Sequence, residues 1–199
     1  MKPPFDSTSV SSVSSVVLGS FQSEYEKRLA AWSDIQEHLP FLYEHAAKSK
    51  SVLELGVRSG ISTAALLAGV ERSGGNLWSV DIEKPRVPEW WFVSPIWGLT
   101  IGDDLDPEVA RLQPDKIDML FIDTTHFYEQ TMAELRVYVP RVNPGGIACC
   151  HDTELPALPG YPEGYESFMV AKALEAFCAE TGLKWENRTG SYGLGVIRI

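Results

Sequence analysis

Between Phe21 and Leu39 apolar residues recur at spacings of three and four: Phe21, Tyr25, Leu29, Trp32, Ile35 and Leu39. That is the stripe of an amphipathic helix, and it is expected to end before Pro40. A shorter helix is expected through Phe41 to Ala47, so residues 21–48 read as N-terminal helices. From Ser51 the rhythm changes to short apolar strands, SVLELG, NLWSVDI, IWGLTIG, KIDMLFID and GGIACC, separated by helix-like stretches after Ile61, Pro107 and Tyr128. Alternation of that kind predicts a mostly parallel sheet with helices on both faces.

The tail adds a helix from about Tyr165 to Thr181. The strands KWENR and YGLGVIRI follow, joined at the turn signal Thr189-Gly190-Ser191. Strands that close together cannot both run parallel to the rest, so a C-terminal antiparallel hairpin completes a seven-stranded α/β sheet. Residues 1–20, rich in serine and valine and without helical period, read as a loose arm or a lid. No repeat or long linker splits the chain, and 199 residues suit a single domain with one active site.

Composition narrows the function. Apolar residues at 44% and charged residues at 22% fit a soluble globular protein. A net charge of -10 opposes nucleic acid and anionic membrane surfaces as partners. No apolar run reaches the roughly 18 to 20 residues of a membrane span, and serines interrupt the N-terminus where a signal peptide would be apolar. Cys149, Cys150 and Cys178 form neither a paired framework nor a CxxC motif, so buried thiols and a reducing cytoplasm are expected.

VLELGVRSGIST puts Glu54 at a strand end, Gly56 and Gly60 in the following turn, and Ser62 and Thr63 at the start of a helix. Glycine lets backbone approach a ligand closely, and a helix N-terminus offers free N–H groups to an anion. Asp81 ends the second strand, where an acid can accept ribose hydroxyls. Val57 and Arg58 break the G-x-G-x-x-G dinucleotide fingerprint. A pocket edged by Glu54, Asp81, Asp103 and Asp123 suits a cationic nucleoside better than a pyrophosphate. The competing readings are tight strand-to-helix packing for the glycines and a helix cap for Asp81.

LFIDTTH ends the fourth strand with Asp123 and sets His126 three residues on, while GGIACCHD ends the fifth with His151 and Asp152. Parallel strand ends open on one crevice, so two carboxylates and two imidazoles are expected to converge there and suit a divalent ion. Taken singly, His126 is as readily a capping or surface histidine and Asp152 a turn-forming aspartate. His38 and His45 read as solvated. Trp90, Trp91, Phe92 and Trp97, with the segment ELPALPGYPEGYESF, are expected either to shape an acceptor pocket or to pack an interface, or, for Trp97, to fill the core.

Together VLELGVRSGIS, SVDI, IGDD, LFIDTTHFYE, NPGGIACCHD and GLGVIRI resemble the class I S-adenosylmethionine-dependent methyltransferases. Within them they are similar to the catechol O-methyltransferase type and to the macrolide-sugar O-methyltransferase and cephalosporin-hydroxylase-like group. The resemblance implies a Rossmann-like fold. It implies Glu54, Gly56, Gly60 and Ser62 around the methionine part of S-adenosylmethionine, Asp81 and Ile82 at ribose and adenine, and Asp103 near the adenine. It also implies a divalent metal such as Mg2+ on Asp123, His151 and Asp152, with Asp123 and His126 in catalysis and His126 as the base. His151 departs from the pattern, since an acidic ligand is usual at that position. Thr124 and Thr125 also replace the more polar or bulky residues usual between acid and base. The activity implied is O-methylation of a small hydroxylated metabolite, a glycoside or phenol. N- or C-methylation without metal, and a silent binding module, are the alternatives, and a homodimer or larger homo-oligomer is left open.

Overall fold

The computed structural model describes residues 19–157, 160 and 164–199. The serine-rich arm through Leu18, and part of the segment after Glu154 expected at the acceptor pocket, lie outside them. Seven strands form one sheet: β1 (Ser51–Leu55), β2 (Asn76–Asp81), β3 (Trp97–Ile101), β4 (Ile117–Ile122), β5 (Val142–His151), β6 (Trp185–Arg188) and β7 (Leu194–Arg198). Their order is β3-β2-β1-β4-β5-β7-β6. Strands β1 to β5 pair in parallel, and β7 runs antiparallel to both β5 and β6. The expected Rossmann-like sheet and its C-terminal hairpin are therefore present.

Among the described residues six α-helices cover it: α1 (Phe21–Ala30), α2 (Leu39–Ala46), α3 (Ile61–Ser73), α4 (Pro107–Arg111), α5 (Tyr128–Tyr138) and α6 (Met169–Thr181). Strand residues alternate between two cores, as the period of two requires. Val52, Leu77, Met119, Phe121 and Cys149 pack with α1, α2 and α3. Leu53, Leu55, Val80, Leu120, Ile122 and Cys150 pack with α4, α5 and α6. Cys149, Cys150 and Cys178 are buried, free thiols. Among the described residues, no helix is long and apolar enough to cross a membrane.

Two local expectations are corrected. The helix foreseen from Phe21 to Leu39 breaks after Ala30, because Ala31 is extended and Trp32, on the apolar stripe, points into solvent at 85% exposure. Pro40 does not stop a helix; it sits in the first turn of α2, where its missing N–H costs nothing. In the run Trp90 to Trp97, Trp97 fills the core, as one of its readings had it, and Trp91 joins it there instead of facing an acceptor pocket. Trp91 and Trp97 are buried 5.8 Å apart, and Phe21 of α1 packs 4.7 Å from Trp90. These rings bind the N-terminal helices to the sheet and do not line the cavities described below.

Candidate functional site

Strand order reverses between β1 and β4, so the chain leaves the two strands in opposite directions and opens a crevice at their carboxyl ends. The two ends are tied by backbone. The Asp123 amide donates to the Leu55 carbonyl at 2.8 Å, and the Gly56 amide to that of Val80 at 2.9 Å. Gly56 has φ +89°, and a Cβ there would run into the Asp123 carbonyl, so only glycine lets the turn pass this close.

A cleft of about 360 Å³ fills the crevice. Gly56, Asp81, Ile82, Asp103 and Asp123 line it, and so do Asp104, Thr124 and Gln130, which sequence reasoning did not single out as site residues. Ile82 is 69% exposed, an apolar plate at the rim. The Asp81 carboxylate already accepts three backbone N–H groups: Val57 and Arg58 at 2.8 Å each, and Glu83 at 3.0 Å. It therefore fastens the glycine turn as well as facing the cleft.

Glu54 does not edge this cleft. As the residue between Leu53 and Leu55 it points to the α1–α3 side, where it is wholly buried. Hydroxyls of Ser62, Thr63 and Ser79 donate to it at 2.7 to 3.0 Å, and Trp97 Nε1 donates to Ser79. Burial pushes its carboxyl up to about 7 against the pull of those donors. Gly60 likewise stands behind the site, at φ +70° and packed on Val87 and Trp91.

A second cavity of about 70 Å³ adjoins the cleft across Gly56, Asp123 and Thr124 and is lined by Asp34, Arg58, Ser62 and His126. At its edge the expected cluster forms. His126 Nε2 lies 2.9 Å from Asp152 Oδ2 and 3.3 Å from Asp123 Oδ1. His151 Nδ1 lies 3.1 Å from Asp152 Oδ2 and 3.5 Å from Asp123 Oδ1, while its Nε2 bonds the Ser191 carbonyl at 2.8 Å. That carbonyl can only accept, so Nε2 carries a proton. His126 and Asp152 both hold positive φ of 65°, a strain that clusters at functional sites.

Charge follows from this geometry. Burial disfavours a charged His126, but the two carboxylates outweigh it and raise the imidazole to about 9. Burial works the same way on His151, and the same carboxylates hold it well above its ordinary range. Asp123, despite burial, is held well below the usual carboxylate range by His151 and His126. Two imidazolium ions thus offset two carboxylates. The expectation of His126 as the base is corrected, because it is clamped as a proton donor between two carboxylates.

The ligand atoms of Asp123, His126 and Asp152 all lie within 4.8 Å of one another, close enough to share one ion. The grouping differs from the expected Asp123, His151 and Asp152: His126 joins it, and buried His151 supports both carboxylates from behind. His38, expected to be solvated, is buried, bonds the Gly190 carbonyl and stands 6.0 Å from the His151 ring. Beneath the cleft, Thr124 Oγ1 donates to Glu134, whose carboxyl is pushed up to about 8 by burial and by Asp104.

An α/β sheet with an acidic, glycine-hinged cleft at its switch point defines a protein of the Rossmann-like class, in which ligands bind at that crevice. The methyltransferase domain family matches residues 53–153, just over half of the chain, and the chain belongs to that family. This agrees with the resemblance carried by its motifs. No curated protein sequence matches it. Among solved structures it is similar to an O-methyltransferase from Bacillus cereus in complex with SAH (S-adenosylhomocysteine), at 15% identity, TM-score 0.64 and 94% coverage of both chains. It is also similar to the SAH-bound methyltransferase PaMTH1 of Podospora anserina, at 15% identity and TM-score 0.61, covering 89% of this chain and 86% of that one. MycE of the mycinamycin biosynthetic pathway, in complex with Mg and SAH, matches at 18% identity and TM-score 0.63 over 89% of this chain and 53% of its own. At these identities the likeness establishes the fold.

Proposed function

We propose that the protein transfers the methyl group of S-adenosylmethionine to a hydroxyl of a small metabolite, assisted by a divalent cation on Asp123, His126 and Asp152. The observation that carries this reading is the continuity of the two cavities, in which an acidic nucleoside-sized cleft meets a carboxylate–imidazole cluster across Asp123 and Thr124. Asp123 is offset by its imidazole neighbours, but Asp81, Asp103 and Asp104 also line the cleft, against Arg58 as the cation among the described lining residues. Such walls repel pyrophosphate and favour a cationic nucleoside. S-adenosylmethionine supplies a methyl group on a positively charged sulfur.

The residues divide the work. The turn at Gly56 and the start of α3, with Ser62, face the amino-acid end; Asp81 and Ile82 face ribose and adenine, with Asp103 further along. Glu54 and Gly60 act from behind by fixing the turn and helix. The two carboxylate oxygens suit Mg2+ or Mn2+, and the imidazole nitrogen also admits a transition metal. A bound divalent ion would supply the charge that lowers the pKa of an acceptor hydroxyl, whose proton passes to water as the oxygen takes the methyl group and S-adenosylhomocysteine leaves. His151, bonded to the Ser191 carbonyl, keeps Asp123 and Asp152 aligned, and the walls hold acceptor and methyl donor in line for displacement.

The test is incubation with methyl-labelled S-adenosylmethionine and a panel of phenols, catechols and glycosides, with chelator or with Mg2+. Label on oxygen, diminished by chelation and restored by Mg2+, is expected. Label only on nitrogen or carbon overturns the O-methyl assignment, and full turnover after chelation removes the metal.

A further inference from the structure

The smaller cavity has a wall that no motif in the chain announces. Asp34 belongs to the segment between α1 and α2 and precedes the family-matched residues 53–153, yet it faces Gly56, Ser62 and Asp123 across this space. Its Oδ2 accepts from Arg58 Nη2 at 3.0 Å. Among the described residues, Oδ1 accepts no hydrogen bond. Opposite lies the N-terminus of α3, a 13-residue helix whose cap position, Gly60, offers no side-chain acceptor, and whose Ser62 hydroxyl is committed to Glu54.

The two ends of this space therefore differ in sign. Free N–H groups and the helix dipole at α3, with the Arg58 guanidinium, favour a carboxylate. Asp34 favours a cation. Asp123 Oδ1 on the far wall is already engaged, 3.3 Å from His126 Nε2 and 3.5 Å from His151 Nδ1. Arg58 in this pair is largely in solvent and Asp34 partly so, with side chains 73% and 33% exposed, and a pair so exposed is weak enough to exchange partners. At about 70 Å³ the space takes a few heavy atoms rather than a nucleoside or a metabolite.

We propose that Asp34 is the receptor for the α-ammonium group of the cofactor's amino-acid end, with the α3 N-terminus and Arg58 holding its carboxylate. Asp34 then selects ligands that carry an intact zwitterionic amino acid. The inference rests on the S-adenosylmethionine reading of the cleft.

Calorimetric titration of the full chain and of Asp34→Asn separates the possibilities, using S-adenosylhomocysteine, its deaminated analogue, and 5′-methylthioadenosine, which lacks the amino-acid end. The variant should melt like the wild type and lose about 10- to 100-fold in affinity for S-adenosylhomocysteine, the range for a lost charged hydrogen bond. Its affinity for the other two ligands should match the wild type's. An equal loss for all three ligands makes Asp34 merely structural, and no loss for any of them overturns the assignment. Equal loss for S-adenosylhomocysteine and its deaminated analogue, with methylthioadenosine spared, also overturns it, by assigning Asp34 to the carboxylate side. If the wild type binds none of the three, the S-adenosylmethionine reading fails, and this inference with it.

Discussion

Replacing Glu54 by glutamine tests the account of the turn at its most buried point. The carboxyl is fully buried among three hydroxyl donors and is pushed up to about 7 from an ordinary 4.5. That difference corresponds to roughly 3 kcal/mol between the protonated and ionised forms in the folded chain. Because the folded pKa is the raised one, the contribution is fully present below about 4.5 and is lost as pH rises through about 7. Glutamine keeps the shape and cannot ionise. Between about pH 5 and about pH 8.5 the variant should therefore gain roughly 2–3 kcal/mol relative to the wild type, most of it below neutrality, where the unfolded carboxyl is ionised and the folded one is not. Urea denaturation followed by far-ultraviolet circular dichroism at both pH values reads the difference directly. A stability gap between the two proteins that does not change with pH would refute the reasoning. Since Glu54 faces away from the cleft, the same variant should also keep its affinity for S-adenosylhomocysteine.

Gly56→Ala forces a side chain into left-handed backbone against the Asp123 carbonyl. It should lower stability by about 1–3 kcal/mol and weaken cofactor binding, and an unchanged calorimetric melting temperature contradicts this. Asp81→Ala removes the acceptor of three backbone N–H groups, so it should cost about 1–3 kcal/mol in denaturation as well as cofactor affinity. A loss of affinity at full stability would confine Asp81 to the ligand. The His126 imidazole, raised to about 9, contributes stability that is fully present below about 6.5 and is lost as pH rises through 9. A divalent ion must displace that proton, so Mn2+ affinity should climb about tenfold per pH unit between about 7 and 9. His126→Gln should flatten the slope, and a pH-independent affinity in the wild type argues against the site.

The sheet was legible because its strands are short apolar runs and its helices carry a different period. The cluster was legible because Asp123 and His151–Asp152 stand at the ends of adjacent parallel strands, which open on one crevice. Other features depend on contacts distant in sequence. Trp32 fits the helical stripe and yet lies in solvent, because the chain turns at Ala31 toward α2. His38 is buried because the β6–β7 turn folds over it. Asp34 has no motif, and only its meeting with Arg58, 24 residues on, places it at the cavity. Glu54 could have been placed from alternation alone, since Leu53 and Leu55 take the other face. Both faces of this sheet are buried, however, so hydropathy did not show which side held the ligand. The charge of His126 needed distances to two carboxylates, which spacing along the chain does not supply.

The central claim is that the cleft holds a cationic nucleoside and that the chain uses S-adenosylmethionine. Thermal melting of the full chain with S-adenosylmethionine, S-adenosylhomocysteine or NAD tests it most directly. At a ligand concentration a hundredfold above its dissociation constant, binding adds about 2.7 kcal/mol, or roughly 5–10 °C for a chain of this size. The account predicts that rise with S-adenosylmethionine and S-adenosylhomocysteine and none with NAD; a rise with NAD alone contradicts it.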